Sequence, residues 1–146
     1  MTLPTLPQWF LWALAAAIFA ALTAIFAKLG LENVDSDFAT FIRTVVILLA
    51  LSAFLSYTGK WQNPAALSDK NWIFLVLSGL ATGASWLAYF KALQLGNASQ
   101  VAPVDKFSVV LTTLFAVIFL AERPSPREWL GIFLIGAGVL ILALRR

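Results

Sequence analysis

The stretch SQVAPVDKFSVVLTTLFAVIFL, Ser99 to Leu120, decides how this chain is read. Its length matches what a bilayer core of about 30 Å requires of a helix, roughly 20 residues at 1.5 Å rise. Yet Asp105 and Lys106 sit about a turn and a half inside its start, where charge is expensive. The segment is either a span with a function or not a span at all, and the surrounding sequence answers that question.

Working outward, four further apolar segments lie at Trp9–Leu29, Phe38–Tyr57, Trp72–Phe90 and Trp129–Leu144, beside Val101–Leu120 itself. The last is short but can tilt or thin the bilayer locally. Trp9, Trp12, Tyr57, Trp61, Trp72, Tyr89 and Trp129 fall at segment ends, where amphipathic rings prefer the headgroup layer. The first segment is too long for a signal-peptide core and lacks a basic leader, so it is expected to stay as a span. The composition agrees: of 146 residues, 61% are hydrophobic and 12% charged, and the mean hydropathy is +0.89. A soluble domain is nearer a quarter charged. The expected fold class is all-α, a bundle of five transmembrane helices in one domain over residues 1–146. The expected setting is the cell membrane, multi-pass, with the lipid bilayer as solvent.

Histidine and cysteine are both absent. That excludes disulfides, thiolate and imidazole metal sites, histidine triads and histidine proton relays. No catalytic residues, metal or cofactor are expected. A net charge of +3 spread along the chain does not argue for nucleic acid.

The connections are short, so consecutive helices should be antiparallel neighbours. In GLENVDSD, Gly30 is the expected stop of the first helix and Asp35 to Asp37 are cap candidates for the second. Ser99 is a cap candidate for the fourth, and the prolines of AERPSPRE suit the start of the fifth. Orientation should follow the lysine and arginine bias of the loops. One side carries Lys60, Lys70, Arg123 and Arg127; the other carries Lys28, Lys91, Arg145 and Arg146. Neither side wins, and an odd number of spans puts the termini on opposite faces.

The C-terminal half also has a recognisable pattern. Tyr89-Phe90 with Ala92-Leu93, the turn into Val101-Ala102-Pro103, Glu122-Arg123, Trp129-Leu130-Gly131 and Gly136-Ala137-Gly138 follow one another in order. Together with the opening WALAAAIFAALTAIFAKLGL they resemble the repeat of the EamA family in the drug/metabolite transporter superfamily. Typical members have ten spans, as two five-span repeats of opposite orientation, whereas this chain is one repeat. The resemblance implies transport of a small metabolite or amphipathic compound by alternating access, with a second copy supplying the inverted half. The balanced charge count independently favours such an antiparallel homodimer. The alternative is a non-transporting membrane partner, or one half of an obligate heteromeric transporter.

Six residues past Asp37 comes Arg43, and six past Ser99 comes Asp105, so both side chains lie about 9 Å deep from one face. Equal depth and opposite charge predict an Arg43–Asp105 pair with Lys106 nearby. The pair is either a substrate-binding or gating element or a structural tie between the second and fourth spans. Ser78, Thr82, Ser85, Trp86 and Tyr89 fall on one face of the third span, lining a polar route or serving packing beside Gly79 and Gly83. Ser108 and Thr112 on the fourth span complete the candidate set, and Pro103 is the candidate helix kink. The alanines of the first span (Ala13, Ala16, Ala17, Ala20, Ala21, Ala24) and Gly131, Gly136 and Gly138 of the fifth are expected to pack, the glycines at a subunit interface. No carboxylate lies in the first, third or fifth segment, where a proton-driven multidrug exporter would be expected to carry one in the first, so uniport, exchange or a coupling of another kind is favoured.

Overall fold

The computed structural model describes residues 7–144. Among them the chain is all-α, without strands, and five helical segments are long and apolar enough to cross a membrane. Arg145 and Arg146 of the charge count lie outside the described residues.

Helix α1 (Gln8–Gly30) is built from alanine and long apolar residues with no glycine or proline before its last position, a composition that keeps the helix unbroken. It runs through Gly30 itself, and the left-handed residue expected of that glycine is Asn33, at φ 58°. Asp35 then caps α2 (Ser36–Thr58), its carboxylate accepting from the backbone N–H groups of Asp37 and Phe38. Gly59, at φ 63°, closes α2. Its N–H reaches Ser56 O and that of Lys60 reaches Leu55 O, the reciprocal closure that a left-handed residue allows. A single turn at Pro64–Ala66 leads to α3 (Asp69–Leu95), where Ser68 Oγ accepts from Asn71 N.

The fourth span is not one helix. It is α4 (Ala98–Asp105) and α5 (Ser108–Phe119), separated by a turn at Lys106–Phe107. The N-cap of α4 is Asn97 rather than Ser99, without a side-chain bond, so the helix opens directly from the Gly96–Asn97 turn. The last segment, α6 (Pro126–Ala143), opens with a reciprocal cap: Glu128 N donates to Ser125 Oγ and Ser125 N to Glu128 Oε2.

The chain forms two compact units. In the unit spanning residues 29–95, α2 packs against α3, and Leu31, Ser36, Thr40, Phe90 and Leu93 are buried. Gln94 Nε2 donates to Val34 O there at 3.0 Å. In the other, residues 1–28 with 96–146, α6 packs on α4 and α5. Lys28 Nζ donates to Gly96 O at 2.8 Å, while Ala24, Gly136 and Val139 are buried.

Little else is buried. Of the six alanines expected to pack, only Ala24 does so within the chain. Gly136 is tightly packed, since an added Cβ would meet Val110 Cγ2 at 3.3 Å, but Gly79, Gly83, Gly131 and Gly138 face open space. In lipid this is no defect, because apolar side chains gain nothing by leaving hydrocarbon for one another.

Candidate functional site

Arg43 stands seven residues past the first residue of α2, about 10 Å along the helix. Its guanidinium is half-buried and lies over α3. The Cζ is 4.2 Å from the centre of the Trp86 ring and 5.2 Å from that of Phe90. Trp86 and Phe90 are one helical turn apart, so α3 presents both rings to one cation. Antiparallel packing of α2 on α3 sets this register, as the Val34–Gln94 contact nearer the helix ends shows.

Arg43 belongs to the unit of residues 29–95 and Asp105 to the other unit, so the pair expected from depth stays an expectation. Asp105 engages its sequence neighbour, Lys106 Nζ, at 3.3 Å. Neighbours in sequence diverge on a regular helix. Here α4 ends at Asp105, and the turn brings the two side chains together. Lys106 is exposed and Asp105 half-buried. Phe90 was missed because it reads as core. The usable signal was the four-residue spacing from Trp86.

Pro103 lies inside α4. It has no N–H to donate to the carbonyl of Ser99, and its ring crowds that turn. Past it the bonding tightens: Lys106 N donates to Pro103 O, Phe107 N to Val104 O, Val109 N to Lys106 O and Val110 N to Phe107 O. These three-residue closures are the tighter 3₁₀ kind.

The hydroxyl stripe of α3 is less available than its sequence suggests. Thr82 Oγ1 donates to Ser78 O at 2.8 Å. Thr40, Thr44, Ser56, Thr58 and Thr113 likewise donate to carbonyls four residues back. Ser78 and Ser85 are exposed and Tyr89 is half-buried on the Trp86 side of the helix. Ser108 and Thr112, in the other unit, are exposed along α5. Among the described residues no cluster of acids could hold a metal ion.

Residues 7–144 match the model of the EamA-like transporter family. An "Uncharacterized transporter in cobO 3'region" from Sinorhizobium sp is 56% identical, with 93% of this chain aligned to 96% of that one. A "Probable 4-amino-4-deoxy-L-arabinose-phosphoundecaprenol flippase subunit ArnE" from Hamiltonella defensa is 32% identical over 66% of this chain and 88% of its own. The "Uncharacterized transporter YxxF" of Bacillus subtilis is 29% identical over 93% of this chain, which spans only 42% of that protein. No solved structure matches. With five membrane-length helices and a family match over nearly its whole length, the chain belongs to the EamA-like transporter family.

Proposed function

We propose that this chain is one half of a membrane transporter for a small metabolite or amphipathic compound, working by alternating access as an antiparallel homodimer. One observation carries the reading: the same residues span nearly all of one transporter relative and less than half of another. A module that fills one relative and less than half of another fits a unit that works with a second copy of itself. The four-to-four distribution of loop lysines and arginines leaves insertion free to go either way. Inverted repeats then place the substrate path at the repeat interface. Arg43 with Trp86 and Tyr89, the Asp105–Lys106 turn, Ser78, Thr82, Ser85, Ser108 and Thr112 are the candidate lining. Pro103 supplies the interrupted helix.

The absence of cysteine makes the test simple. Single cysteines at Glu32 and at Gln62, in successive loops, are exposed to a membrane-impermeant maleimide on intact cells. Each variant should label in part from outside, with the remainder reacting after permeabilisation. Complete labelling of one and none of the other would end the antiparallel reading. The transport half is tested with liposomes holding this chain alone, loaded with a cell metabolite extract. Faster loss of at least one compound than from protein-free vesicles is expected.

A second reading, one half of a heteromer, draws on the relative named as a flippase subunit. It predicts a single orientation, and liposomes that leak nothing until a partner is added.

A further inference from the structure

A guanidinium lying over a ring face satisfies its charge in part but not its donors. Its five N–H bonds radiate within its own plane, away from the ring beneath. Arg43 is in this condition, with Trp86 at 4.2 Å and Phe90 at 5.2 Å. Within its own unit, residues 29–95, no carboxylate pairs with it. A cation about 10 Å inside a membrane-length helix ordinarily pairs with an anion or faces water. The two rings hold the charge from one side, and a planar guanidinium can bind two oxygens of a carboxylate or phosphate at once through its edge.

The surroundings bear on the form of that anion. The mouth of α2 carries Glu32, Asp35 and Asp37, and Asp35 is committed to capping. These three acids outnumber Lys91, the cation of α3 near that end, and oppose a bare inorganic anion arriving from water. Ile42, Val46 and Leu87 beside the site are exposed apolar side chains, so approach from the hydrocarbon side meets no such field. We propose that Arg43, held on Trp86 and Phe90, is the recognition group for the oxyanion head, carboxylate or phosphate, of an amphipathic ligand. The proposal rests on the transporter reading for its purpose, but its test does not.

Protein purified in a neutral maltoside detergent is titrated calorimetrically with octyl phosphate, with inorganic phosphate, and with octyl glucoside as the uncharged control. Protein-free micelles give the background. Saturable binding of octyl phosphate is expected, at least tenfold tighter than inorganic phosphate, and none of octyl glucoside. Arg43→Gln should weaken octyl phosphate at least tenfold while its circular dichroism melt stays native. Affinity within twofold of the original would overturn the proposal. If Arg43→Gln fails to fold, Arg43→Lys decides: it keeps the charge and loses the fork, so at least threefold weakening is expected and unchanged affinity overturns. Repeating the titration in phosphatidylglycerol and phosphatidylcholine nanodiscs separates the sources. Competition by phosphatidylglycerol assigns the site to a lipid headgroup, and indifference assigns it to a free amphipathic anion. Binding in detergent is independent of insertion, so a single membrane orientation would remove the antiparallel dimer and leave this site standing.

Discussion

Replacing Gly136 by valine tests whether α6 is held against α5 by close backbone approach. An added Cβ at residue 136 would stand 3.3 Å from Val110 Cγ2, inside the roughly 3.5 to 4.0 Å at which carbon atoms are best separated. Alanine needs Val110 to yield by a few tenths of an ångström. It also gains about 0.5 to 1 kcal/mol of helix preference over glycine, so its net effect should be small. Valine adds two further methyl groups on a buried face, and overpacking of that kind costs about 1 to 3 kcal/mol. At about 2 to 4 °C per kcal/mol for a chain of this size, the melt should fall by about 2 to 12 °C. Gly138→Val is the internal control, because a Cβ there meets nothing within 4 Å. Thermal melts followed by circular dichroism, in excess detergent at low protein concentration, compare the two. Equal loss in both variants would refute the packing reading. Loss at Gly138 that appears only at high concentration would instead put that glycine at a contact between copies.

Two other substitutions follow from backbone geometry. Ala121 ends α5 in the left-handed region at φ 54°, where Glu122 N can reach back to Ala116 O at 3.2 Å. Ala121→Gly should therefore stabilise by about 1 kcal/mol, seen as a melt higher by a few degrees; a lower melt would contradict the strain. Pro103→Ala restores the donor facing Ser99 O and should stabilise α4 by up to about 3 kcal/mol. Hydrogen exchange of the amides at 106–110 should slow with it, and unchanged exchange would mean that the turn has another origin.

The spans were legible because a membrane helix is a long one-dimensional signal that no local preference overturns. Asp35 and the proline start of α6 were legible for a different reason, since a cap needs only its own side chain and the next turn and a proline ring presets its own backbone angle, whereas the Ser125 cap was not read. Asn97 was not, because it caps without using its side chain. Pro103 flagged trouble in the fourth span, yet the interruption falls at Lys106–Phe107, past the proline, where bonding has to recover its register. The site was half legible. Arg43 and Trp86 stand out by type, but their union needed the antiparallel register of α2 on α3. A small residue does not declare whether it packs: Gly136 touches Val110 while Gly79 and Gly83 touch nothing.

The hydroxyls that donate back along their own helices have a consequence for biogenesis. Thr40, Thr44, Ser56 and Thr58 in α2 and Thr82 in α3 settle their hydrogen bonds within the segment that carries them. A nascent span of this kind reaches the insertion machinery with these polar groups already satisfied, and it owes nothing to neighbours not yet synthesised. Nothing in these bonds marks one end of the segment as inside. These bonds therefore leave the choice of direction to the few charges in the loops.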